Sequence, residues 1–217
     1  MSSPPETGLP GRRRQAAQND QVILDAAREV FMADPKAPIA AVAKRAGVGI
    51  SALYRRYPGK EDMLRKLCHD GLRRYIAEAE AALEEPDAWA AFAGFLDRVV
   101  DADVHSLTVH LAGTFTPTPE MFEDSRRAAR LAAALVDRAR SSGRLRPDAV
   151  VEDLGLVLES CAAIRLPDAE RTRELRRRVL TMMVESLGRT GEPDLPGPPP
   201  HAGDFAWRWQ PRESSVD

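Results

Sequence analysis

Apolar residues recur at i, i+3, i+4 spacing along most of this chain, and the pattern divides into nine predicted helices. Val22, Ile23, Ala26, Ala27, Val30 and Phe31 form the first stripe, with Asn19 or Asp20 as its cap. Ile39, Val42 and Ala43 share one face of a short second helix, which Pro38 opens and Gly47 stops. A third runs from about Ile50 to Tyr57, with Leu53 and Tyr57 on one side and Pro58-Gly59 at its end. Lys60 begins a fourth that reaches about Glu84, roughly 37 Å at ~1.5 Å per residue. Leu64, Leu67, Leu72, Tyr75, Ile76 and Leu83 mark its buried side. Pro86-Asp87 starts a fifth helix, with Trp89, Phe92, Phe95, Leu96, Val99 and Val100 inward. A sixth spans about Val104 to Ala112. Pro119 sits at the start of a seventh, which ends near Ser142. Asp148 is expected to cap an eighth that ends near Ile164, and Pro167-Asp168 a ninth that ends near Leu187.

Between Pro38 and Lys60 these patterns carry a geometry. A small residue at Ala43, a glycine at Gly47 and an apolar plug at Val48 let two helices cross closely at a steep angle. That is helix-turn-helix geometry, with the second helix able to enter a DNA major groove. An ordinary helical corner with exposed arginines is the alternative.

The same stretch resembles the DNA-binding domain of the TetR family of bacterial transcription regulators. The residues that carry the likeness are Ile39, Val42-Ala43, Arg45-Ala46-Gly47-Val48, Leu53-Tyr54, Tyr57 and Lys60-Glu61-Asp62-Met63-Leu64. The sequence departs from the family pattern at four places. Pro38 and Gly49 stand where hydroxyl-bearing caps are usual, Ser51 replaces a glycine, and Arg56 replaces a histidine. The third helix is expected to read bases through Ile50, Ser51, Ala52 and Tyr54. The resemblance implies phosphate contacts from Arg56, Tyr57 and Lys60, with Lys44 and Arg55 as further candidates. It implies an all-α protein: an N-terminal helix-turn-helix domain at 19–60, and a ligand-binding and dimerisation domain at 61–188.

Charge supports a DNA-facing end. The net charge is −2, yet Gly11 to Lys66 holds twelve cations against six acids and all four lysines of the chain. That segment carries +6 and the remainder −8, a basic head on an acidic body. Residues 1–18 are rich in Pro, Gly, Ser and Arg and lack periodicity, so they read as a disordered arm. Its Arg12-Arg13-Arg14 run suits a minor groove or a phosphate as well as it suits solvent. Residues 189–217 read as a proline-rich disordered tail, whose Phe205, Trp207 and Trp209 are candidates to dock on the body.

Aromatic residues are only 6% of the 217, which favours helices over strands. No run of about 18 apolar residues exists to span a membrane. Cys68 and Cys161 lie far apart in helical patterns and read as buried thiols in a reducing cytoplasm. There is no phosphate-binding glycine loop and no zinc-spaced Cys/His pair, so no cofactor is expected and an enzyme is the distant alternative. Asp101 and His105 are four apart, a pairing that is usually structural.

Two expectations concern the body. Helices four to seven should bring together Tyr75, Trp89, Phe92, Phe95, Thr108, His110, Phe115 and Phe122, with Arg126 and Cys161 nearby. An apolar cavity there would hold a small, apolar effector, its polar end fixed by His110 or Arg126, with Ala79 on the wall. A protein partner in place of a small molecule is the alternative. The last two helices carry more apolar residues than one buried stripe needs. The resemblance implies that they form a homodimer interface, with Leu154, Leu158, Val179 and Met183 as candidates.

Overall fold

The computed structural model describes residues 9–191 and 193–204, with side chains from Asn19 onward. Among the described residues there are nine α-helices and no strands. Among these residues no helix is long and apolar enough to cross a membrane. The chain divides into two compact units, Met1–Leu67 and Cys68–Asp217.

The first unit holds α1 (Leu9–Ala33), α2 (Ile39–Ala46), α3 (Ile50–Arg56) and the start of α4 (Lys60–Leu83). α1 begins ten residues before the expected cap, so residues 9–18 are helical and not an irregular arm. The stripe of α1 is also shifted. Leu24 is buried, whereas Val22 is 51% exposed. Ile23, Ala27, Phe31, Val42, Leu53, Met63 and Leu64 form the core of this unit. Gly47 has φ of +67°, the left-handed conformation that ends α2 at little cost only for glycine. The amide of Val48 then donates to the carbonyl of Ala43 at 3.0 Å, which closes the turn.

The second unit holds the rest of α4, α5 (Ala88–Asp101), α6 (Val104–Leu111), α7 (Pro119–Ser141), α8 (Asp153–Ala163) and α9 (Ala169–Leu187). Three of these helices start at side-chain caps. Asp87 accepts from the amides of Trp89 and Ala90, Thr118 from Met121, and Asp168 from Glu170 and Arg171. Phe92, Phe95, Leu96, Val99, Leu135 and Val136 are fully enclosed in one core. At the end of α9, Gly188 passes so close to Trp89 that a Cβ there would lie 2.8 Å from the ring. Glycine is required at that position by approach, not by φ.

α8 starts at Asp153, later than expected, because Asp148 is engaged elsewhere. Its carboxylate takes two hydrogen bonds from Arg146, at 2.6 and 3.0 Å, and one from the Leu195 amide at 2.6 Å. Arg146 is buried and also donates to the Pro193 carbonyl at 2.7 Å. The segment after α9 is therefore tied to the body at residues 193–195, where a disordered tail was expected. Phe205, Trp207 and Trp209 lie outside the described residues.

Candidate nucleic-acid interface and body cavity

α3 buries only Leu53 and turns the rest of its surface outward. Ile50, Ser51, Ala52, Tyr54, Arg55 and Arg56 are all exposed, Tyr54 by 47% and Ile50 by 40%. Lys44, on α2, is exposed as well. These seven residues were expected to face DNA, and a helix that shows polar, aromatic and cationic groups to solvent is equipped to do so.

The other two expected contacts are placed differently. Tyr57 is 6% exposed and caps α3, its amide on the Leu53 carbonyl at 2.8 Å. Its hydroxyl donates to Asp20 Oδ1 at 2.6 Å. Burial and the Asp20 carboxylate both push the phenol pKa upward, so it remains a neutral donor. Tyr57 is an interior residue of this unit, not an outward phosphate contact. Lys60 donates from Nζ to the Pro35 carbonyl at 2.6 Å and lies 5.2 Å over the Phe31 ring. Burial lowers its pKa, against the pull of Asp34. It ties the loop after α1 to the start of α4.

Asp20 is the residue that sequence reasoning undervalued as a mere cap. It accepts from Arg56 Nε as well as from Tyr57. Burial alone would raise its pKa, but the bonds from Arg56 and Tyr57 outweigh burial and hold it below the usual carboxylate range. The same pairing raises the Arg56 pKa. Arg56 is thus an exposed cation whose Nε edge is fixed from behind. Arg45 is fixed by Glu29 in a similar way, its Nε 2.6 Å from Oε2.

The second unit contains an open-sided cavity of about 400 Å³. Small residues make one part of its wall: Gly71, Ala128, Ala129, Ala132 and Gly155. Leu72, Val104, Val151, Leu154 and Leu158 make the aliphatic part. Tyr75, His105, Thr108, Ser125 and Glu152 supply the polar groups, and Ala202 of the C-terminal segment completes the lining. A second hollow of about 220 Å³ is lined by Cys68, Pro117, Met121 and Phe122, and shares Leu72, Thr108 and Ser125 with the first.

Of the ten expected ligand residues, only Tyr75 and Thr108 line the larger cavity, while Phe122 lines the smaller hollow. Phe92 and Phe95 are fully buried in solid core, and Trp89 packs on Phe92 with ring centroids 5.6 Å apart. Tyr75 meets Phe95 edge-on at 5.0 Å. Phe115 is buried away from the cavity, and Cys161 is buried beneath Arg176, its Sγ 3.9 Å from that residue's carbonyl. His110 pairs with Arg165 and Arg126 is exposed, so neither fixes a ligand in the cavity. Ala79 belongs to the core and not to the wall. The legible signal for the wall was overlooked. Ser125, Ala128, Ala129 and Ala132 are small residues spaced along one face of α7, and a face of small side chains leaves room beside it.

The expected dimer residues also divide. Leu154 and Leu158 are buried and line the cavity, so they serve the interior of one subunit. Val179 and Met183 are half-buried. The large apolar side chains that α8 and α9 leave exposed are Leu156, at 45%, and Met182, at 55%.

A helix-turn-helix with an exposed second helix, joined to an all-helical body, has the architecture of a helix-turn-helix DNA-binding protein. Residues 23–67 match the family described as "Bacterial regulatory proteins, tetR family", which marks this segment as a DNA-binding domain of the TetR type. About four fifths of the chain shares its fold with solved TetR structures. One is the TetR-family regulator PfmR from Thermus thermophilus, 21% identical over 77% of this chain and 99% of that one, with a TM-score of 0.60. Another is the TetR-like regulator LfrR from Mycobacterium smegmatis in complex with proflavine, 23% identical over 82% and 99% of the two chains, with a TM-score of 0.60. A gamma-butyrolactone receptor is 18% identical over 78% and 85%, with a TM-score of 0.61. At these identities the likeness establishes the fold. No curated protein matches the chain.

Proposed function

We propose that this protein is a homodimeric repressor that leaves a palindromic DNA site when a small, largely apolar molecule enters the cavity of its second unit. The observation that carries the reading is the 400 Å³ cavity itself, with its apolar wall and a few polar groups. It favours a small-molecule effector over a protein partner, which would need no cavity. A similar solved structure, LfrR, was determined with proflavine bound. α4 supports a coupling route. It contributes Met63 and Leu64 to the core of the first unit, and Gly71, Leu72 and Tyr75 to the cavity wall. A ligand that prefers one position of α4 changes how well α3 meets DNA, a coupling typically of about 1–3 kcal/mol.

Dimerisation is assigned to the exposed apolar residues of α8 and α9, Leu156 and Met182, with Val179 and Met183 beside them. A symmetric pair of recognition helices then reads two half-sites related by a two-fold axis. Action on DNA locates the protein in the cytoplasm. The test is footprinting on the DNA that flanks its own gene, with light scattering on the same preparation. A protected palindrome and a dimer are expected. A monomeric species that protects no site overturns the proposal. Leu156→Arg with Met182→Arg is expected to yield monomers that keep their helical content but lose the footprint.

A further inference from the structure

We infer that the cavity is built for a monocationic amphiphile, with the positive end at Glu152 and the apolar body toward Met121 and Phe122. The inference rests on the effector-site reading above and narrows it to a chemical class.

Glu152 immediately precedes α8 and lines the large cavity. It is half-buried, and among the described residues no hydrogen-bond or ion-pair partner meets its carboxylate. The neighbouring acids are committed. Asp148 is held by Arg146, and Asp153 accepts from the Val150 amide at 2.8 Å. Glu159 lies 3.5 Å from His105 Nε2. A ligand that fills the cavity strips water from Glu152. An unpaired carboxylate is costly in that setting, and a cation is the partner that offsets the cost.

The same wall rejects anions. No lysine or arginine lines either hollow among the described residues. The start of α8 offers no substitute. The amides of Asp153, Leu154 and Gly155 already donate to the carbonyls of Val150, Val151 and Glu152. His105 is the remaining ionisable group on the wall besides Tyr75; its Nε2 lies 3.5 Å from Glu159 but makes no hydrogen bond among the described residues. A carboxylate or phosphate ligand therefore meets the Glu152 carboxylate and no lysine or arginine, with the His105 imidazole, beside Glu159, as the one basic group on the wall among the described residues.

The two hollows divide the ligand. Glu152 lines only the larger, Met121 and Phe122 only the smaller, and Leu72, Thr108 and Ser125 belong to both. The two hollows are neighbours across these shared residues, and an occupant that extends from one toward the other holds its charged and apolar ends apart. Cys68, Pro117, Met121 and Phe122 give the far end an apolar lining.

Calorimetric titration of the full chain with three matched probes tests this: 4-phenylbutylammonium, 4-phenylbutanol and 4-phenylbutyrate at neutral pH. The ammonium should bind at least tenfold more tightly than the carboxylate. Glu152→Gln should weaken the ammonium about tenfold, as expected for one lost charge-assisted contact, and leave the alcohol within twofold. An unchanged melting temperature shows that the variant is folded. Equal ammonium affinity in wild type and Glu152→Gln overturns the inference, as does carboxylate binding that matches the ammonium. If the alcohol binds while no charge preference appears, the cationic class fails and the effector cavity stands. If none of the three binds, both readings fall.

Discussion

Replacing Tyr57 by Phe separates two roles that the sequence alone leaves merged. The resemblance implies a phosphate contact from this hydroxyl, whereas the structure turns it inward onto Asp20 at 2.6 Å. Phe keeps the ring that fills the 6% exposed site and deletes only the donor. A hydrogen bond to a charged acceptor contributes about 1.5–3 kcal/mol. Asp20 retains Arg56, and its side chain is 21% exposed, so water can take the vacated position. The loss therefore falls at the low end, about 1.5 kcal/mol, or roughly 3–6 °C in melting temperature for a chain of this size. Acid sensitivity should change with it. A carboxyl held below its ordinary pKa stabilises the fold above that ordinary value, and the contribution is lost as pH falls through the lowered one. With one donor fewer, Asp20 rises toward the ordinary value of about 3.9, and its contribution is lost at a higher pH. Thermal melts at neutral and acid pH measure both effects. Fluorescence anisotropy on duplex DNA at several salt concentrations measures the other role, and affinity below the melting range should be unchanged. Weaker binding to every duplex, with the salt slope unchanged and no loss of stability, would show that Tyr57 meets a phosphate after all, and the inward reading would be wrong.

Lys44→Ala and Arg55→Ala should each weaken binding to every duplex alike and lower the salt slope by about one, whereas Tyr54→Ala should cost specific binding more than non-specific binding; competition with unrelated DNA distinguishes them. Ala132→Phe grows into the cavity and should abolish effector binding with the fold kept, while Ala79→Trp overpacks solid core at a cost of about 1–3 kcal/mol or more; titration and melting on both variants check the contrast. The Asp148 carboxyl is held down at about 2, chiefly by Arg146 and then by the Leu195 amide. Its anchoring of residues 193–195 should be complete above the ordinary carboxyl range and fade as pH falls toward 2; Asp148→Asn should loosen the segment already at neutral pH, read as faster hydrogen exchange at Leu195.

Local chemistry made most of the helices legible. Proline at the start of α7, aspartate caps before α5 and α9, and a glycine with positive φ after α2 act within a few residues, so spacing alone reveals them. The outward face of α3 was legible for the same reason. In a helix of seven residues, one buried leucine leaves every other side chain on the outside. What the sequence could not decide depended on partners distant along the chain. Tyr57 and Lys60 carry the right groups for phosphate, yet Asp20 and the Pro35 carbonyl, far from them in sequence, claim those groups. Asp148 reads as a cap but, beside its neighbour Arg146, it accepts from the distant Leu195 amide. The cavity was misread because aromatic residues attract attention as ligand contacts, whereas large rings such as Phe92 and Phe95 fill space and become solid core. Empty volume arises where small side chains from several elements face one another, here Gly71, Ala128, Ala132 and Gly155, and only the packing of α4, α7 and α8 brings that set together.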